Sequence, residues 1–412
     1  MKRKYTGYLL SKYFICILAG LFFFSVYYSM SAVIVLSGLM LSSAGFAKLW
    51  SLISLTGVSY RQFVTNRRLF PGEYSDFILE LNNRKPLPLP WIQVEVMLPE
   101  VALPKRFDQP EPISEPKQLT HVISLLWYTS IRWKHRLQFN KRGYYPLGPA
   151  TTTSGDIFGL YSRSAVSKIK EHIIVFPRIY PITGLFLPSL SPVGESHTKQ
   201  RIYQDPTRSD GIRDYTPQDS LRHIHWKTSA RRQKLQVKVF EPTTTLKTAI
   251  FFAVDSFKTG SAEYDENFEM GVSTAASLAH EIVNEGNPVG LYANTRLADS
   301  GHPISIPPGG SHQQISDILE ALAKLTDQTA KPFEDFFEDE LGRLSMGSTL
   351  IIILSEFSDS LYAVLCGLKI SQFKIVVFIV GEIDKTSRFD KIPLYHVQSP
   401  GSIKKIKGYL ST

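Results

Sequence analysis

Cysteine is nearly absent. The 412 residues include two, Cys16 in an apolar run and Cys366 far along the chain. That excludes a disulfide framework and suits a reducing compartment. Internal repeats and low-complexity segments are missing too, so the chain is not a repeat array. Charge is missing from one long stretch: no residue from Tyr13 to Ala47 is charged, a run of 35 positions. What remains is ordinary for folded protein, with 43% hydrophobic and 20% charged residues. The length suggests two or three domains. The net charge of +9 favours anionic partners, of which phospholipid headgroups and nucleic acid are examples.

The uncharged run is too long for one membrane span and suits two, since one span takes roughly 20 residues. The spans are placed near residues 8–28 and 32–54. The turn falls at Tyr28, Ser29, Met30 and Ser31, with tyrosines at headgroup level. Lys12 and Lys48 sit where a lysine can snorkel. Lys2, Arg3, Lys4 and Lys12 precede the run, and Lys48, Arg61, Arg67 and Arg68 follow it. Basic flanks mark the cytoplasmic side, and an even number of spans satisfies both flanks. A cleaved signal peptide fits poorly, because the run is too long and lacks a small-x-small cleavage site.

Residues from about 59 to 178 read as strands. Tyr74–Leu81, Trp91–Leu98, His121–Tyr128, Ile131–Phe139 and His172–Phe176 are the candidates. Pro71-Gly72, Asn82-Asn83, Gly143 and Pro146–Pro149 punctuate them. Short strands with turn signals point to a β-sandwich. Asp156 to Tyr161 reads as a tight corner packed by aromatics.

A charged cassette follows. From Lys199 to Lys238 there are ten Lys or Arg and four Asp. Asp219 is expected to cap a short helix holding His223, Trp226 and Ser229 to Arg231. Gln236 to Phe240 reads as a strand. Three uses fit these residues. In the first, Arg213, Asp214, Asp219, Arg222 and Arg231 form ion pairs that dock the segment, with Trp226 as its apolar anchor. In the second, Arg forks and an exposed Trp make a binding surface. In the third, Asp214, Asp219, His223 and His225 act as acids or bases, although nothing fixes a nucleophile or substrate pocket. Inward docking is expected of Trp226, and exposure of Arg232 and Lys234. The His223-x-His225 spacing is a weak metal signal.

The order Arg213, Tyr215, Pro217, Asp219, Arg222, Ile224, Trp226, Ser229, Ala230, Arg231, Leu235, Val237 resembles the signature of the bacterial and archaeal family called "domain of unknown function 58". The resemblance extends to the hairpin, the Arg142-Gly143 and Asp156–Leu160 stretches and the C-terminal domain. Two positions depart from the family pattern. Gln218 stands in place of glycine and His225 in place of aspartate. The resemblance implies a membrane-anchored protein whose genes accompany MoxR-type AAA+ ATPases and transglutaminase-like proteins. It implies no established reaction.

From Ala249 onward strands alternate with helices. Strands are expected at 249–254, 287–293, 349–355, 374–380 and 394–397. Helices are expected at 263–286, 311–325, 333–343, 359–368 and 402–410. That order argues a mostly parallel sheet covered on both faces, and it is similar to a von Willebrand factor A-like domain. Ligand sites in such sheets lie beyond the carboxyl ends of the strands. An adhesion-type metal site wants Asp-x-Ser-x-Ser after the first strand. Here the run is Asp255, Ser256, Phe257, Lys258, Thr259. Phe257 replaces one hydroxyl and Lys258 adds a positive charge. Asp255, Thr259 and Ser311 remain as degenerate candidates, with Glu356 or Asp359 as the later acid, and no metal or other cofactor is expected.

The expected architecture is a transmembrane hairpin (1–57), a β-sandwich (58–180), a linker with the basic cassette (181–242) and an α/β von Willebrand A-like domain (243–412). The expected function is a non-enzymatic adaptor or assembly factor, multi-pass in the cell membrane, with cytoplasmic soluble domains and a MoxR-type AAA+ ATPase as partner. One alternative is a metal-dependent adhesion module or enzyme using the Asp255 loop. The other is a basic nucleic-acid-binding module, which lacks a known motif and interleaves its cations with acids.

Overall fold

A computed structural model describes residues 12–99, 103–105, 118–159, 161–168, 171–182, 204–216, 224–242, 247–257, 262–345, 347–367, 373–381, 393–399 and 402–406. The chain divides into two compact units. One holds Met1–Arg178 with Leu322–Leu325, the other Ile179–Ala321 with Thr326–Thr412.

The first unit opens with α1 (Lys12–Tyr27) and α2 (Ser31–Ser54). Among the described residues α2 is the one helix long and apolar enough to cross a membrane, and it lies near the N-terminus. The apolar part of α1, Ile15–Tyr27, is shorter. The two helices meet where Gly38 lets the Phe22 ring approach; a Cβ there would lie 3.4 Å from that ring. Ser29, in the turn between them, takes the left-handed conformation at φ 56°.

Eleven strands follow among the described residues of this unit. They are β1 (Val58–Val64), β2 (Arg68–Leu69), β3 (Tyr74–Asn83), β4 (Leu89–Met97), β5 (Leu103–Lys105), β6 (Gln118–Leu125), β7 (Ser130–Gln138), β8 (Gly143–Leu147), β9 (Ala150–Gly155), β10 (Ser162–Ser167) and β11 (Glu171–Val175). They build two four-stranded antiparallel sheets, β1-β3-β7-β5 and β10-β9-β4-β6, and a smaller sheet β2-β11-β8. Alternation explains the packing. Phe77, Leu79 and Leu81 of β3 and Ile92, Val94 and Val96 of β4 all turn inward, and the two sets join one core with Leu137, Leu147 and Val175. Each such side chain contributes about 1.5–3 kcal/mol by leaving water. Asp156 caps the β9–β10 turn as a tight corner. Phe158 and Ile157 at its tip are exposed rather than packed in.

The second unit begins with a two-stranded ribbon. β12 (Gln204–Asp214) pairs antiparallel with β13 (Gln236–Pro242), and α3 (Trp226–Arg232) lies between them in sequence. The remaining strands are β14 (Thr248–Phe252), β15 (Val289–Ala293), β16 (Thr295–Leu297), β17 (Ile304–Gly309), β18 (Leu325–Thr329), β19 (Thr349–Leu354), β20 (Lys374–Val380), β21 (Leu394–Ser399) and β22 (Ser402–Ile406). The helices are α4 (Ala262–Asn284), α5 (His312–Lys324), α6 (Phe333–Leu341) and α7 (Asp359–Gly367). A seven-stranded sheet runs β17-β15-β14-β19-β20-β21-β22, and β16 pairs with β18 apart from it. The five central strands are parallel, and the edges β17 and β22 are antiparallel.

Every residue of β14, β15 and β19 is buried, as a parallel sheet covered on both faces requires. Neighbouring residues show the two faces. Phe251 meets Phe337 of α6 at 4.8 Å, while Phe252 meets Phe268 of α4 at 5.7 Å. The helix expected at 402–410 is corrected. Residues 402–406 form the edge strand β22, with Ile403 opposite Val397 and Lys405 opposite Tyr395. Lysines in an edge strand suit a strand that must not pair further.

Candidate functional site

The cassette is held by a small buried hydrogen-bond skeleton. Ile224 and Val237 are buried and face each other across an isolated bridge. Ser229 and Gln236 are also buried. The Gln236 N–H donates to Ser229 Oγ at 2.9 Å, and Ser229 Oγ donates to the His225 carbonyl at 3.0 Å. The Gln236 side chain donates from Nε2 to the Asp214 carboxylate. Tyr215 N–H donates to the Leu235 carbonyl at 2.9 Å, and His225 N–H to the Gln236 carbonyl at 2.8 Å. His225 caps α3, its Nδ1 accepting from Thr228 N–H at 3.1 Å. At the far end Gln233 closes the helix in the left-handed conformation, φ 53°.

On this frame the outer surface is mixed. Trp226 is 68% exposed, where the sequence leads to an expectation of inward docking. The reason is geometric: α3 has seven residues, and its buried side is spent on Ser229. Ile212 of β12 and Leu235, just before β13, are exposed apolar residues. Arg213, Asp214, Lys227, Arg231, Arg232 and Lys234 are exposed and Tyr215 is half-buried. Arg232 and Lys234 thus lie at the surface as expected. The helix starts at Trp226 behind His225, not behind Asp219. Asp219, Arg222 and His223 lie outside the described residues, and so do any ion pairs expected of the first two.

The second candidate is the carboxyl end of the parallel sheet. Asp255 follows β14, but its Oδ2 accepts the Phe333 N–H at the start of α6, at 2.8 Å. That is a helix-capping role. Ser256 Oγ donates to the Ala253 carbonyl and accepts from Ser355 N–H at 3.0 Å. Asn294, fully buried, accepts Val254 N–H at 2.8 Å and donates to the Lys331 carbonyl. Glu334 in the first turn of α6 accepts from Ser360 Oγ at 2.6 Å and Ser358 Oγ at 2.8 Å. Burial raises the Glu334 carboxyl, but these hydrogen bonds and the α6 backbone outweigh it and hold the group below the usual range.

Ser311 is not at this end. β17 runs antiparallel to β15, so Gly309 pairs with Val289, which pairs with Thr248 at the start of β14. Ser311 therefore lies at the amino ends of the parallel strands. A five-residue strand alone separates the two ends by about 15 Å. Thr259 and Lys258 fall outside the described residues. Among the described residues no group of three or more His, Cys, Asp or Glu is arranged to hold a metal ion.

Residues 211–386 match the family model described as "Protein of unknown function DUF58". The match starts in β12, takes in the cassette and ends beyond β20. The chain is also similar to the "Uncharacterized protein YeaD" of Bacillus subtilis (strain 168). The two are 23% identical over 302 residues, which is 73% of this chain and 71% of that one. Among solved structures it is similar to the CARDB domain of the PF1109 protein from Pyrococcus furiosus, at 8% identity and TM-score 0.19. That match covers 29% of this chain and 86% of that one. The cohesin module of a Clostridium perfringens family 33 glycoside hydrolase matches at 13% identity and TM-score 0.21, covering 29% of this chain and 97% of that one.

The family match takes in most of the cassette together with the strands and helices from β14 to β20. Reading the sequence picked out Arg213, Asp214, Tyr215, Trp226, Arg231, Arg232 and Lys234. It missed Ser229 and Gln236 as the buried frame, and Ile212 and Leu235 as exposed apolar neighbours. The signal for the frame was weak: two polar residues seven apart, one in a helix and one in a strand.

Proposed function

We propose that this chain is a membrane-anchored, non-enzymatic adaptor whose cassette binds a protein partner, a MoxR-type AAA+ ATPase being the partner expected. In this reading α1 and α2 form a transmembrane hairpin in the cell membrane, and a β-sandwich and a von Willebrand A-like domain stand in the cytoplasm. The hairpin is supported by large apolar side chains left exposed along both helices, among them Phe23, Phe24, Val35, Leu36 and Leu39. The von Willebrand A-like reading is supported by five parallel strands with antiparallel edges and helices on both faces. A role without catalysis is supported at the carboxyl end of the sheet, where Asp255 is engaged at a helix N–H and Glu334 by serine hydroxyls.

One observation carries the binding role. Trp226 is exposed on a helix with a buried, hydrogen-bonded frame, and Lys227, Arg231, Arg232 and Lys234, near it in sequence, are exposed as well. Tryptophan and arginine are the residues that dominate protein interfaces when they sit on a fixed surface. The test is Trp226→Ala in the full-length, detergent-solubilised protein. The thermal midpoint should stay near that of wild type, while affinity for a purified MoxR-type ATPase falls at least tenfold. A loss of stability of about 3–5 kcal/mol would put the indole in a core instead. Unchanged affinity would remove the cassette from the interface.

A further inference from the structure

Two turns of the first unit hold apolar side chains out in solvent. Between β6 and β7, Leu126, Trp127 and Tyr128 are 58%, 57% and 68% exposed. Between β9 and β10, Ile157 and Phe158 are 53% and 58% exposed. Neither turn is loose. Asn83 is buried, and its Nδ2 donates to the Leu126 carbonyl at 2.9 Å, while its N–H donates to the Thr129 carbonyl at 2.9 Å. Asp156 is fully buried and accepts from Phe158 N–H at 2.9 Å and Tyr161 N–H at 2.6 Å. Trp91 Nε1 donates to the Asp156 carbonyl at 3.2 Å. Buried polar groups thus build rigid turns whose tips are apolar.

Both turns are tied to the same end of α2. Lys85, itself buried, donates from Nζ to the carbonyls of Ile53, at 2.6 Å, and Ser54. The Lys85 carbonyl accepts the Tyr128 N–H at 3.4 Å. Arg163 pairs with Ser154 just behind the β9–β10 turn, and its Nη1 donates to the Leu52 carbonyl at 2.9 Å. A lysine and an arginine of the β region therefore satisfy the last carbonyls of the helix that is long enough to cross a membrane. Both apolar tips lie at the strand ends nearest that helix end, since Val58 pairs with Asn83, Asn82 with Ser130 and Ile92 with Ser154.

We propose that Leu126, Trp127, Tyr128, Ile157 and Phe158 form a bilayer-docking patch that enters the headgroup–acyl boundary beside α2. The proposal rests on the reading of α2 as a membrane helix. The chemistry suits that depth. Trp and Tyr favour the interface, where an apolar ring body and a polar tip are both satisfied. Arg84, exposed next to Lys85, adds a cation where anionic headgroups would lie. With both turns immersed, the β region is held against the membrane by apolar contacts in addition to its one covalent link to α2.

The test uses the full chain in liposomes of phosphatidylcholine with phosphatidylglycerol. Cys16 and Cys366 are replaced by serine, and a nitroxide is placed at Trp127→Cys, Phe158→Cys or Pro71→Cys. Pro71 lies in the turn that leads into β3, at the end of that strand away from Asn83. The labels at 127 and 158 should show higher collision with oxygen and lower collision with a water-soluble nickel complex than the label at 71, at a depth of about 5–10 Å. If 127 and 158 report water as 71 does, the patch is overturned. Alkaline carbonate extraction of the same liposomes reads the anchor separately. Release of the chain would overturn the membrane helix, whatever the labels report. If either labelled variant loses the wild-type thermal midpoint, Leu126→Cys and Ile157→Cys replace it at the same two tips.

Discussion

Phe257 occupies the position where an adhesion-type metal loop would carry a hydroxyl. Its ring is buried, stacked on Phe252 at 5.3 Å and edge-on to Phe268 at 5.5 Å. Helix α4 comes close enough that a Cβ on Gly271 would lie 2.9 Å from the Phe257 ring. The residue is therefore a wedge between β14 and α4. Restoring the hydroxyl with Phe257→Ser should destabilise the chain by about 3–5 kcal/mol, the usual cost of emptying a phenylalanine site. It should not create a saturable Mg²⁺ site, since Asp255 is already bonded to Phe333 N–H. Urea unfolding and calorimetric titration of the full-length variant check both halves. Unaltered stability together with micromolar Mg²⁺ binding would show that the loop is a metal site one substitution away. The sequence alone revealed the substitution at 257. It did not reveal that Ser311 sits at the wrong end of the sheet, because residue order carries no sign of an antiparallel edge strand.

Among the elements, the β3–β7 pair has the clearest electrostatic signature. Asp76 stands opposite Arg136 in the register, with Lys134 Nζ at 2.9 Å and Arg136 Nε at 3.6 Å. The Lys134 hydrogen bond, against a smaller opposing effect of burial and with help from both charges, holds the Asp76 carboxyl below its ordinary value. A depressed carboxyl contributes stability above its unfolded pKa of about 3.9, and that contribution is lost as pH falls through the folded value. Asp76→Asn should therefore lower the unfolding free energy slightly at pH 6, by no more than about 1 kcal/mol for so exposed a pair of cations. It should lose less than wild type between pH 4 and pH 2. Parallel acid limbs would assign no role to the pair. Other elements were legible for plain reasons. β14 and β19 are unbroken apolar runs, and β3 and β4 alternate. In sequence, residues 402–406 also suit a helix, because Ile403 and Ile406 are three apart. Pairing with β21 decides the matter, and pairing is a long-range fact. The seven-residue α3 was misjudged at Trp226 for a similar reason: a short helix has no periodicity from which to infer which side is buried.

For the whole molecule, the proposed hairpin fixes on which side of a membrane the rest of the chain would stand. At 1.5 Å per residue the 24 residues of α2 reach about 36 Å, more than the roughly 30 Å hydrocarbon core. The 16 described residues of α1 reach about 24 Å and would need some of residues 1–11 to complete a span. Tyr27 and Tyr28 at the turn are exposed, as headgroup-level tyrosines would be. Lys2, Arg3, Lys4 and Lys12 lie on one flank, and Lys48, Arg61, Arg67 and Arg68 on the other. A single span would carry one of these basic groups across the membrane, against the orientation rule, whereas a hairpin leaves both inside. Reporter fusions after Thr6 and after Thr412 should therefore give the same cytoplasmic signal. Opposite signals would leave α2 as a lone span and sink the hairpin. Matching periplasmic signals would invert the molecule and put the Trp226 surface out of reach of any ATPase.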